Sequence, residues 1–200
     1  KVIVLHDQTV DRTTDGFGDV RTLLSSTLRE LNASHHFPGQ YPIQHVPTLD
    51  EVIELVGQRT YFNFELTNLS TPRDELPDRV GEAIVHHGIE DRVLISSFLH
   101  LNIKRIKELL PEIPVAILAF SGLPGAAARS AFGRRRSPFI IHPHHSDVDK
   151  RFMKREKATG RRVHPWVVNE RAEMRRLFKL GVDGLFTDNP ALALMEAGEV

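Results

Sequence analysis

The 200-residue sequence predicts one α/β domain in which successive βα units close into a barrel, and three observations carry that reading. Short β-branched and aromatic runs recur, apolar at nearly every position rather than alternating, as strands covered on both faces should be. Amphipathic helical patterns with readable ends separate them, and from Tyr61 onward strands begin about every 20 to 30 residues, the length of one βα unit. The glycine-rich G-x-G-x-x-G turn that opens doubly wound nucleotide folds is missing, which favours closure over an open sheet. Catalytic groups of such barrels sit at the C-terminal ends of strands, and His6, Glu65, His142 and Trp166 all fall at or near those ends.

In chain order the predicted strands are VIVL at 2–5, YFNFEL at 61–66, RVLISSF at 92–98, PVAILAF at 114–120, PFIIHP at 138–143, RRVHPWVV at 161–168 and DGLFTD at 183–188. Thr48 and Glu51 fit a capping box ahead of LDEVIELV, which Gly57 stops. LNIKRIKELL repeats apolar residues at three and four and halts at Pro111, while NERAEMRRLFKL opens on Asn169 as its N-cap and closes at Gly181. PALALMEA begins with Pro190 at the first helical position, behind Asp188 and Asn189. Between Ser121 and Ser137 the rhythm breaks into Gly, Pro and small residues with the run Arg134, Arg135 and Arg136; a solvated loop is the expectation, against a phosphate or membrane-surface contact.

Composition narrows the function classes. Lysine plus arginine and aspartate plus glutamate both number 26, so the net charge is zero, no nucleic-acid partner is expected, and any anion must be held by a local site. The absence of cysteine removes disulfides, thiolate nucleophiles and Cys-based zinc sites; it leaves secreted and cytosolic homes open, the cytoplasm being favoured. No run approaches the roughly 18 apolar residues of a membrane span, and the opening KVIVLHDQ lacks the apolar length of a signal peptide.

Residue by residue, His6 and Asp7 at the end of a strand read first as structural polar groups. The loop DQTVDRTTDGFG is rich in side chains that bond to their own backbone, so an internally braced turn is expected, with Asp7 part of the scaffold and Arg12 pairing to carboxylates or carbonyls. His142, in FIIHP, ends its strand where a site should be and is a candidate substrate contact. His144, His145, Asp147 and Asp149 lack the i, i+4 spacing of a helical zinc motif and read as a polar loop with helix-capping carboxylates. The pairs His35–His36 and His86–His87 read as surface residues.

Taken together and in order, VLHDQTVDRTTDGFGDV, PTLDEVIEL, FNFEL, VLISSF, VHPWVVN and GVDGLFTDNP resemble the glycerophosphodiester phosphodiesterase family, from Val2 to about Leu194. The resemblance implies a (β/α)8 TIM-like barrel and metal-dependent hydrolysis of glycerophosphodiesters to glycerol 3-phosphate and an alcohol, with a divalent cation, Ca²⁺ or Mg²⁺, as cofactor. It makes Glu65 a metal-ligand carboxylate, His6 the second of two catalytic histidines, and Trp166 an aromatic beside the pocket that packs the glycerol carbons, unless it is ordinary core. The chemistry agrees: a cation draws charge off an anionic diester, and a positioned imidazole moves the proton that a poor alkoxide leaving group needs.

The sequence also departs from the family pattern. An H-R-G strand, an E-N-T stretch and E-x-D carboxylates are not found, so residues 1–200 are expected to be a barrel lacking its first βα unit or two, weakly active or inactive alone, with open strand edges inviting self-association. Many relatives carry Lys two positions after the metal-binding Glu; here Glu65 is followed by Leu66 and Thr67, leaving Asn68 as a candidate substitute. Two further readings stay open: a non-catalytic barrel that binds phosphorylated polyols or lipid head groups, and a lysophospholipase D-type enzyme whose Phe120, Leu123 and Phe132 line an acyl groove.

Overall fold

The computed structural model describes residues 1–198 and gathers them into two compact units, one of Lys1–Tyr61 with Asp78–Glu90 and one of Phe62–Pro77 with the chain from Asp91 onward. The first unit holds α1 (Ser25–Glu30), α2 (Leu49–Val56) and most of α3 (Leu76–His87) around buried Val10, Leu28, Val46, Leu49, Ile53, Val80 and Ile84. The predicted capping box forms: Thr48 Oγ1 accepts the Glu51 N–H at 3.3 Å and Glu51 Oε2 accepts the Thr48 N–H at 2.8 Å. Gly57 then ends α2 at φ 57°, a backbone setting that favours glycine. Residues 2–5 do not become a regular strand. They lie extended along the approach to α2, with one antiparallel bridge from Ile3 to Thr48, because the stretch that they pair with turns into a helix at Leu49.

The second unit is built on a five-stranded parallel sheet in the order β1 (Phe62–Glu65), β2 (Val93–Ser97), β3 (Val115–Ala119), β4 (Ile140–Pro143) and β5 (Arg162–Val163). Helices α4 (His100–Leu109), α5 (Ala131–Arg136), α6 (Lys150–Lys157), α7 (Arg171–Leu180) and α8 (Pro190–Gly198) accompany it. Ile117, Ala119, Ile141 and Val163 join a core with Phe152 and Met153 of α6, Met174 and Leu177 of α7 and Ala193 of α8. Alternation sends Leu118, Ile140 and His142 to the opposite face, and they too are buried, which explains the unbroken apolar runs.

Four expectations change here. The 161–168 run keeps only two residues of regular strand, since Pro143 of β4 has no N–H to give to the His164 carbonyl; beyond the gap Trp166 N–H still reaches Pro143 O at 3.0 Å. The 183–188 run forms no regular strand either, yet its backbone bonds along the same stretch, Asp183 N–H to Val163 O and Phe186 N–H to Pro165 O. Asn169 does not cap α7, whose N-cap is Glu170; its amide instead grips the later turn, Nδ2 donating to Asp188 Oδ2 at 2.6 Å and Oδ1 accepting the Asp188 N–H at 2.9 Å. The arginine run is not a loop but the last turn of α5, capped by Ser130, where positive charge complements the helix dipole. Gly181 and Asn189 play the parts expected of them, a left-handed C-cap of α7 and an N-cap whose Oδ1 accepts the Leu192 N–H.

Candidate active site

In the first unit the loop after His6 is braced by its own polar groups. Val20 N–H bonds Gln8 O, Val10 N–H bonds Gly18 O, and Asp11 Oδ2 accepts the Gly18 N–H at 3.1 Å. This frame sets three side chains in a row. His6 Nδ1 lies 2.8 Å from Asp7 Oδ1, and Arg12 holds the same carboxylate with two bonds, Nε to Oδ2 at 2.5 Å and Nη2 to Oδ1 at 2.9 Å. The Arg12 guanidinium, then the His6 bond, hold the Asp7 carboxyl far below the usual carboxylate range, so it is anionic across the working pH range. An anion at Nδ1 makes that nitrogen the N–H donor and leaves Nε2 to a ligand, on a side chain that is 81% exposed. Asp7 therefore bonds the His6 imidazole as well as Arg12, a pairing beyond the self-braced turn that its sequence setting suggests. The adjacency of His and Asp was the only available signal.

In the second unit, register fixes which strand residues share a face. Glu65 pairs with Ser96 and Ser96 with Ala116, while Leu118 pairs with His142, so Glu65, Ser96, Leu118 and His142 point to one side of the sheet. Glu65 is half-buried at the C-terminal end of β1; Ser96 is fully buried and its hydroxyl has no partner among the described residues. His142 is 1% exposed, its Nε2 3.3 Å from His164 Nδ1, its ring against Phe186 and its Nδ1 without a partner among the described residues. Burial, reinforced by His164 and Arg161, lowers its pKa to about 3. His142 is thus an enclosed neutral ring, and its carbonyl accepts the Trp166 indole N–H at 2.8 Å.

Trp166 is half-buried within a run of rings at the C-terminal edge of the sheet. Phe98 stacks on Phe120 at 4.0 Å, meets Trp166 edge-on at 5.6 Å, and Trp166 meets His144 edge-on at 5.1 Å. Neither Phe98 nor His164 was singled out from sequence, because neither carries a recognisable spacing.

Asn68 is a correction. Its amide is spent inside the fold: Nδ2 donates to Thr71 O and Asp74 Oδ1, and Oδ1 accepts from Asn102 Nδ2 at 2.7 Å, beside a Ser97 hydroxyl that donates to Leu66 O. It is 7% exposed and braces the strand-end loop rather than replacing a lysine. His87 is likewise no free surface residue, since its Nε2 lies 2.9 Å from Asp50 Oδ1. The His144–Asp149 segment is engaged as a capped loop: His145 pairs with Glu173 at 2.7 Å, Asp147 with Arg129 at 2.8 Å, and Asp149 caps α6. Among the described residues no three His, Cys, Asp or Glu side chains converge to hold a metal ion. The one carboxylate that Glu65 supplies falls short of the several oxygens that Ca²⁺ or Mg²⁺ prefers, even with the Ser96 hydroxyl on the same face.

Residues 1–192 match the Glycerophosphoryl diester phosphodiesterase family. A glycerophosphodiester phosphodiesterase of Caldanaerobacter subterraneus subsp. tengcongensis is 30% identical over 190 residues, covering 94% of this chain and 77% of the relative. One of Bacillus altitudinis is 33% identical over 198 residues, covering 97% and 80%. Among solved structures, an Oleispira antarctica phosphodiesterase in complex with the product sn-glycerol-3-phosphate superposes with a TM-score of 0.86 at 27% identity, over 99% of this chain and 79% of that one. The fold is α/β, of the TIM-like barrel class of these structures.

Proposed function

This chain belongs to the glycerophosphoryl diester phosphodiesterase family, and from that premise we propose that it hydrolyses glycerophosphodiesters to glycerol 3-phosphate and an alcohol with His6 as a proton-transfer group. It is a phosphoric diester hydrolase acting on a small-molecule substrate. The observation that carries the assignment of His6 is the His6–Asp7–Arg12 row, in which a carboxylate fixed by a bidentate arginine orients an imidazole whose second nitrogen is open.

The residues then divide the work. With Nδ1 donating to Asp7, neutral His6 presents the Nε2 lone pair and can take a proton; once protonated there, it can return that proton to a departing alkoxide. Trp166, its indole N–H anchored on the His142 carbonyl, offers a fixed apolar ring for the glycerol carbons. His142 acts through Trp166, being itself enclosed. Family members work with a divalent cation, which supplies charge neutralisation at the phosphoryl oxygens. The described residues do not make up its coordination shell, so Glu65 is the one carboxylate assigned toward it and no step is drawn through it.

Hydrolysis of glycerophosphocholine, followed as release of glycerol 3-phosphate with and without a chelator, tests the reading. Turnover that the chelator abolishes supports it. Cation-independent binding of the diester with no turnover would point to a binding protein.

A further inference from the structure

Resting on the phosphodiesterase reading, we propose that His144 determines specificity for glycerol, its Nε2–H donating to a hydroxyl of the glycerol whose carbons lie on Trp166. His144 is extended, at φ −61° and ψ 137°, and carries β4 one residue past its end. Strand alternation puts it after His142 on the side of the sheet to which Glu65 and Ser96 point. It also forms a parallel bridge with Trp166, and the two rings meet edge-on at 5.1 Å.

Hydrogen bonds select the tautomer. His144 Nδ1 accepts the Ser146 backbone N–H at 3.3 Å, and the Ser146 hydroxyl lies 2.8 Å from the same nitrogen. A backbone N–H can only donate, so Nδ1 carries the lone pair and the ring proton sits on Nε2. Partial burial, then the neighbouring His145, keeps the His144 pKa below its ordinary value against a weaker opposite pull from Asp147, so the ring is neutral near pH 7. His6, fixed by Asp7, offers a lone pair at Nε2; His144, fixed by Ser146, offers a proton there.

The mount of this ring is rigid, and capping alone does not account for it. His144 N–H bonds Ala119 O at 3.0 Å, and the next residue's N–H bonds Trp166 O at 3.1 Å. His145 Nδ1 lies 2.7 Å from Glu173 Oε1, while Arg176 holds both Glu173 oxygens and donates to His145 O at 3.2 Å. Asp, Asn or Ser would accept the Ser146 N–H at such a turn. Only an imidazole carries a second polar atom beyond it, and among the described residues none bonds His144 Nε2. A neutral N–H brings no charge to a phosphate, which cations hold better. Glycerol joins apolar carbons to hydroxyls, and that matches a ring face with an N–H donor at its side.

Trp166 is the single tryptophan, so its emission reports on this surface directly. The probes are glycerol 3-phosphate and n-propyl phosphate, which has the same carbon chain and phosphate but no hydroxyls on the carbons. The wild type is expected to bind the first about three to ten times more tightly. His144→Phe keeps a ring beside Trp166 and removes the donor, so it should erase that preference and raise KM for glycerophosphocholine about three- to tenfold with kcat little changed. His144→Gln, whose amide can donate, should restore part of both. Equal affinity for the two phosphates in the wild type overturns the proposal without recourse to any variant, and so does a preference that folded His144→Phe retains or a parallel loss on both ligands. If glycerophosphocholine is not hydrolysed the phosphodiesterase reading fails, while the ligand pair still decides the hydrogen bond.

Discussion

At His6 the distances separate two roles that look alike in sequence. A histidine followed by an aspartate invites a structural reading, and much of the loop bears it out through bonds to its own backbone, but Asp7 points back to the imidazole and Arg12 fixes Asp7. Asp7→Asn keeps the shape and loses the anion, so kcat should fall by about 10²-fold with KM little changed, while circular dichroism stays native. His142 shows the opposite case, because its position at a strand end was legible but its enclosure by His164 and Phe186 was not. Its folded pKa of about 3 lies below the ordinary value of 6.5. Between those values the unfolded chain binds a proton that the folded one refuses, so stability falls as pH drops through 6.5 toward 3. His164, also held down by burial, acts in the same direction. Thermal midpoints at pH 7.5 and 5.5 should therefore differ less in His142→Gln than in the wild type; an unchanged difference would contradict the assignment.

Among the elements, legibility tracked the locality of the signal. The α2 capping box, the Gly181 stop and the Asn189 cap depend on residues a few positions apart, and each forms as read. Thr48→Ala removes the side-chain acceptor for the Glu51 N–H and should cost about 1 kcal/mol, measured as a lower urea midpoint. Asn169 was misassigned because its partners, Thr187 and Asp188, lie 18 and 19 residues away. Cutting that tie with Asn169→Ala should destabilise by about 1 to 3 kcal/mol, since it leaves the Asp188 N–H and the Thr187 hydroxyl to find other acceptors. The parallel sheet followed from apolar runs buried on both faces, whereas the early end of β5 followed from one residue of its neighbour, Pro143.

At the scale of the whole chain, balanced charge means that an anionic substrate is recognised by local groups rather than by a long-range field. No helix among the described residues is long and apolar enough to cross a membrane. The fold class and the family were legible because six short motifs kept their order along nearly the entire sequence, and the family match over residues 1–192 agrees. Two supports of the site were not legible: the enclosed ring behind Trp166 and the buried amide of Asn68 are set by packing and long-range pairing, which no local spacing encodes. The most direct measurement compares wild type and His6→Gln in the release of glycerol 3-phosphate from glycerophosphocholine. The account predicts a fall in kcat of about 10² to 10⁴-fold with diester binding retained; a variant that turns over the diester at the wild-type rate would contradict it.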